Sequence, residues 1–330
     1  MGSVTTPEKL LRVQRTTTNT NQMIISPDVN GEMDGSVLRI AREIDSPYPI
    51  VPITRIEGFK FNPELLSLGK YILLDYSELH WNTENKDTHL FGKNTSDYPE
   101  IYVGDEWKKF DDFVRSNPPL VYFKRELFKK DVTDNILPID YPCWSAPYPM
   151  QSKQEFNARP INAFHYWGRS NEARVKLHAD FWLNSSKNGA AICDNIFHLE
   201  AFLRDEKNTN KWVTLNIAHY SRQPIETILG VNGLSKLSVS MKGSGHKCFR
   251  DAEAPVNSVM IMAANEIAYA YEWKHKENCF RMSGEPIEEI EAALKYENLY
   301  EVYCEGMGNI EKYRTPNYIN NYILPIINNA

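Results

Sequence analysis

Short apolar runs alternate with stretches of helical spacing along most of the chain. In the first part, VLRIA (37–41), KYILLDY (70–76), PEIYVG (99–104) and PLVYFKR (119–125) predict strands. Between them, GDEWKKFDDFVRSN (104–117) sets Trp107, Phe110, Phe113 and Val114 at helical intervals. From about residue 160 the alternation begins again. NAFHYW (162–167), WVTLNIA (212–218), KLSVSM (236–241) and VNSVMIMA (256–263) predict strands. GRSNEARVKLHADFW and PIETILGVNGLS predict turns that open helices, and 284–303 predicts one long helix with Ile287, Ile290, Leu294 and Leu299 on one face. Short buried strands alternating with helices argue for an α/β fold built on parallel sheets.

A composition shift divides the two halves. Between Asp131 and Pro160 the chain carries Pro138, Pro142, Pro147, Pro149 and Pro160 with little periodicity, which predicts a linker. Residues 1–22, rich in Thr, Asn and basic groups, read as a loose arm. The expected organisation is an arm (1–22), a first α/β domain (23–145) and a second (146–311). In NYINNYILPIINNA, Tyr318, Tyr322, Ile323 and Ile327 are candidates to return to the first domain, so that 312–330 completes it. The alternative is a strand or frayed tail.

Composition narrows the function. The 330 residues include 37 Lys and Arg against 43 Asp and Glu, a net charge of -6, which argues against duplex-DNA binding. Mean hydropathy is -0.49, and no apolar run approaches the ~20 residues of a membrane span. The five cysteines (Cys143, Cys193, Cys248, Cys279 and Cys304) are odd in number and form no CxxC, which points to a reducing compartment and a cytoplasmic location. The polar N-terminus has no apolar h-region.

The segment richest in candidate chemistry is KGSGHKCFRDAEAP, after the strand KLSVS. Gly243, Ser244 and Gly245 form a turn able to approach a ligand closely. Arg250 can fork onto a phosphate, and Glu253, three residues on, can accept from sugar hydroxyls. By spacing alone the pair also fits an ordinary turn with a surface ion pair. His219, Tyr220 and Ser221 follow WVTLNIA, where strand ends line ligand sites in open α/β sheets. The same rule makes Asp75, at the end of KYILL, a candidate general base, or else a turn residue. Glu78, His80 and His89 are its neighbours. The chain has no D-x-D, HxxxH or HExxH, so no metal or cofactor is expected, and Arg169, Arg174, Lys176, His246, Lys247 and Arg250 offer a metal-free way to neutralise a diphosphate.

The string from Lys242 to Pro255, followed by an apolar strand, resembles the donor-binding segment of exostosin-like glycosyltransferases, which shows R-x-x-E-A after a Gly turn. NAFHYWGRSNEARVKLH is similar to the opening of that family's nucleotide-binding domain. The family's apolar G-C-x-P-V strand stands here as V-N-S-V-M-I-M. The resemblance covers about residues 160–270. It implies a two-Rossmann (GT-B) fold with a cleft, a nucleotide-sugar donor such as a UDP-sugar as co-substrate, and a glycan or glycoprotein acceptor. It also implies a ribose role for Glu253, diphosphate roles for Arg169, Arg174 and Arg250, and a soluble form similar to those of large DNA viruses, working in the host cytoplasm. Inverting transfer is the expected chemistry. The competing readings are a non-catalytic nucleotide- or glycan-binding protein and a glycosyltransferase acting on modified DNA bases.

Overall fold

The computed structural model describes residues 23–28, 35–53, 59–77, 80–81, 91–92, 105–145, 148–167, 175–180, 183, 191–193, 204, 211–216, 225–241, 247–248 and 250–330. The expected arm (1–22) and the predicted strand 99–104 lie outside them. The fold is α/β, with two separate parallel sheets.

The first sheet is preceded by α1 (Gly35–Glu43) and contains β1 (Ile50–Ile53) and β2 (Ile72–Asp75). A small antiparallel pair follows, β3 (His80–Trp81) with β4 (Phe91–Gly92), and then α2 (Asp105–Ser116), β5 (Val121–Lys124) and β6 (Ile136–Pro138). Its strand order is β1-β2-β5-β6, every pair parallel. Both faces are covered, as parallel sheets require. Ile72, Leu74, Val121 and Phe123 enter one core with Val37, Ile40 and Ala41 of α1 and with Ile44 just after it. Tyr71, Leu73 and Tyr122 point the other way, onto Trp107, Phe110, Phe113 and Val114 of α2.

VLRIA was expected as a strand and is helical. Its buried positions, 37, 40, 41 and 44, recur at i, i+3, i+4 and i+7, a periodicity that five residues are too few to display. The linker stretch holds β6 and the short helix α3 (Lys153–Asn157), which Ser152 and Glu155 open with a capping box.

The second sheet comprises β7 (Ile161–Trp167), β8 (Ala191–Cys193), β9 (Lys211–Asn216), β10 (Ser235–Ser240), β11 (Val259–Ala263) and β12 (Phe280–Met282). Helices α4 (Ile225–Gly233) and α5 (Arg250–Glu253) flank β10. The order β12-β11-β10-β7-β9-β8 is parallel throughout. The strand order reverses at the junction of β7 and β10: the chain first winds to one side of β7, then crosses to β10 and winds the other way. Such a reversal opens a crevice beyond the carboxyl ends of the strands, where open α/β sheets bind ligands.

The long helix expected over 284–303 is two helices, α6 (Pro286–Leu294) and α7 (Leu299–Tyr313). α7 buries Val302, Tyr303, Met307, Ile310 and Tyr313, joining the core of the second sheet to that of the first. α8 (Thr315–Tyr318), a π-turn (Ile319–Ile323) and α9 (Leu324–Asn329) then lie on the first sheet. The Tyr322 hydroxyl donates to Pro138 O at 2.7 Å, and the Asp140 N–H donates to the Tyr318 hydroxyl at 2.9 Å. Ile323 and Ile327 sit in the same core as Phe123. Pro325 has no N–H and crowds the preceding turn, which accounts for the wide turn just before it. Among the described residues no helix is long and apolar enough to cross a membrane.

Candidate functional site

Tyr166 stands near the carboxyl end of β7, and the chain leaving β10 returns beside it through Lys247 and Cys248 into α5. Three side chains meet there. The Arg250 Nε–H donates to the Tyr166 carbonyl at 2.9 Å, with the guanidinium carbon 4.6 Å from the Tyr166 ring centre. The Tyr166 hydroxyl donates to Oε2 of Glu253. No described residue donates to Oε1. Burial pushes the Glu253 carboxyl up, opposed by the Tyr166 hydrogen bond and the Arg250 charge. Burial likewise drives the Tyr166 phenol well above its ordinary range, so this hydroxyl keeps its proton.

The supports of this cluster come from α4, from β10 and from the entry to α5. Asn232, on α4, donates to the Glu253 carbonyl at 3.2 Å and accepts from Ser238 at 2.7 Å. Asp251 accepts from Ser240 Oγ at 2.6 Å and from the Cys248 N–H at 3.1 Å. Burial pushes its carboxyl up to about 6. Chemically, the arrangement offers a fixed carboxylate with no described donor on its second oxygen and a guanidinium alongside it, near the point where the strand order reverses.

Of the residues singled out from the sequence, Arg250 and Glu253 are brought together here. Arg169, Arg174, His219, Tyr220, Ser221, Gly243, Ser244, Gly245 and His246 lie outside the described residues, as do Glu78 and His89. Lys176 is on the surface, bridging Asp180 at 3.1 Å and Glu285 at 3.0 Å, where solvent leaves it little effect. Lys247 is buried against Asp140.

Asp75 does not face a crevice, and its expected role is corrected. Its carboxylate is fully buried, with Oδ2 taking the Lys124 ammonium at 2.9 Å and the Tyr122 hydroxyl at 2.6 Å. Oδ1 accepts from the Ser77 N–H at 2.8 Å. A general base must come within hydrogen-bond reach of its substrate, and both oxygens of this one are held inside the protein. Burial lowers the Lys124 pKa and the Asp75 charge opposes it, so the two groups stabilise one another's charge. Asp75 therefore anchors the end of β2 to β5.

Sequence reasoning missed Tyr166, Asn232 and Asp251. Tyr166 read as one more apolar strand residue. Its signal was a hydroxyl-bearing ring close to the end of a central strand, where a buried phenol needs a partner. Asn232 gave no pattern at all, since its contacts depend on how α4 packs.

No family model matches the chain, and no curated protein matches it. Several solved structures are similar in part. The crystal structure of TarM aligns with 13% identity and a TM-score of 0.48, covering 89% of this chain and 57% of that one. The pneumococcal O-GlcNAc transferase GtfA in complex with UDP and GlcNAc aligns with 9% identity and a TM-score of 0.45, covering 84% and 56%. A GtfA/B complex aligns with 9% identity and a TM-score of 0.45, covering 86% and 58%. The chain spans a little over half the length of each, and likeness at this level assigns no role to any of its residues.

Proposed function

We propose that the chain is a glycosyltransferase of GT-B type. It moves a sugar from a nucleotide-diphosphate donor, UDP-linked, to a hydroxyl of a glycan or glycoprotein, with inversion and without a metal ion. The observation that carries this reading is the Tyr166–Arg250–Glu253 cluster at the strand reversal between β7 and β10. A carboxylate held on one oxygen, with no described donor on the other, suits the vicinal hydroxyls of a ribose. A guanidinium beside it suits the diphosphate, whose negative charge grows as the sugar leaves. Arg169 and Arg174, on the chain leaving β7, add to that neutralisation, while 219–221 and 243–245 line the nucleotide.

The transfer needs a base to take the acceptor proton while the oxygen attacks the anomeric carbon and the diphosphate departs. With Asp75 buried, Glu78 and His89, on the chain that follows β2, are the acceptor-side candidates. The protein works in the cytoplasm in this reading.

Thermal unfolding with UDP, ADP and UDP-sugars, together with an assay for transfer in EDTA, tests the proposal. The expected result is a higher Tm with a uridine nucleotide, since a ligand bound only by the folded state stabilises it. Glu253→Ala should lose that rise, and transfer should persist in EDTA. If no nucleotide raises Tm and no nucleotide sugar is turned over, the reading fails.

A further inference from the structure

We propose that Lys247 is a positioning residue through which nucleotide binding at Glu253 depends on the first sheet; this rests on the donor-site reading given above. Lys247 stands three residues before Arg250 but takes its hydrogen-bond and ion-pair partners from the first half of the molecule. Its N–H donates to Oε1 of Glu126, which follows β5, at 3.3 Å. Its ammonium donates to the Ile139 carbonyl, after β6, at 3.1 Å, pairs with Asp140, and lies 4.7 Å from the centre of the Tyr269 ring. Only 3% of Lys247 is exposed.

These partners are themselves held. Glu126 takes Arg125 at 3.0 Å. Asp140 accepts from the Ala270 N–H at 2.7 Å, and its own N–H donates to the Tyr318 hydroxyl. On the other side, the Cys248 N–H donates to Asp251, which Ser240 fixes at the end of β10. The segment entering α5 therefore has two anchors, one at the carboxyl edge of each sheet. A buried ammonium depends on its partner to offset lost hydration. Parting the sheets would strip Lys247 of Asp140, and the chain carrying Arg250 and Glu253 would lose one of its two anchors.

The test is hydrogen exchange of the whole chain, with UDP affinity measured by calorimetry, for wild type, Lys247→Met and the pair Lys247→Met with Asp140→Asn. The paired variant removes both charges together, so neither is left buried alone. Expected for both variants is at least tenfold faster exchange confined to 247–256, with the strands of both sheets unchanged, and at least fivefold weaker UDP binding. Exchange that is unchanged, or faster everywhere, overturns the proposal, and so does failure of the paired variant to fold. If wild type binds no nucleotide, the donor-site reading falls by itself, and the exchange measurement alone decides whether Lys247 holds α5 to the first sheet.

Discussion

Asp75 and Lys124 sit directly opposite one another on neighbouring parallel strands, joined at 2.9 Å with neither side chain reaching solvent. Removing one member leaves the other buried and unpaired, which costs about 3–5 kcal/mol. Asp75→Asn should therefore lower the urea midpoint while the folded fraction keeps near-normal turnover. Combining it with Lys124→Met should restore much of the loss. Full stability with abolished turnover would return Asp75 to the chemistry.

The base is to be found by substitution at the positions that follow β2. Either Glu78→Gln or His89→Ala should lower kcat by ~10²–10⁴-fold with donor affinity nearly intact. The readout is steady-state turnover alongside UDP titration. Normal kcat in both variants, with a product that keeps the donor's anomeric configuration, would point to a retaining route.

Glu253 should distinguish ribose from deoxyribose. Hydrogen bonds to a charged group contribute about 1.5–3 kcal/mol, so Glu253→Ala should weaken uridine nucleotides by roughly 10–100-fold. A 2′-deoxy nucleotide should lose part of that affinity in wild type and nothing further in the variant. Tyr166→Phe removes the hydrogen bond that favours the charged carboxylate, so it should shift the pH dependence of nucleotide binding upward. Calorimetric titrations across pH 5–8 check both points.

Asp251 gives stability a defined slope with pH. Its carboxyl rises from an ordinary 3.8 to about 6, principally through burial. The folded chain thus binds more protons than the unfolded chain between these values. Its contribution to stability is present in full below about 4 and is lost as pH rises to about 6. Asp251→Asn should remove this slope. The check is Tm against pH for the two proteins, and parallel curves would refute it.

Two glycines of α7 should respond in opposite senses. A Cβ at Gly306 would lie 2.8 Å from the Asn278 carbonyl oxygen, a backbone atom, whereas Gly308 has open space. Gly306→Ala should cost about 1–3 kcal/mol as the helix is pushed from residue 278. Gly308→Ala, in an exposed helix interior, should add about 0.5–1 kcal/mol. Chemical denaturation measures both.

Four of the six described strands of the second sheet, and β2 and β5 of the first, could be read from the sequence because buried parallel strands are continuous apolar runs with a strong local signal. β1 escaped because IVPI carries Pro52, which reads as a strand breaker, and β8 and β12 because three residues make no pattern. The single helix drawn over 284–303 overlooked the turn at 295–298, where the chain redirects from the second core towards the first. At the site, Arg250 and Glu253 were legible as a spaced pair beside a Gly-rich string. Asp75 misled because a strand-end position says nothing about what lies beside it, and Lys124 enters only through the register of β2 with β5. Tyr166 and Asp140 act through contacts 87 and 130 positions distant in sequence, with Glu253 and Ala270, and no local pattern encodes such distances.

The core that seats α1 also takes in Ile319, Ile323 and Ile327. Segments around Ile40 thus wait for segments that are translated much later. A nascent chain still lacking 315–329 holds the first sheet with part of that face bare, an exposed apolar surface of the kind that draws chaperones or aggregates. Closing so long a loop also makes folding slow relative to a domain of local contacts. On the ribosome, the second sheet can assemble while the first, though translated earlier, is completed only afterwards.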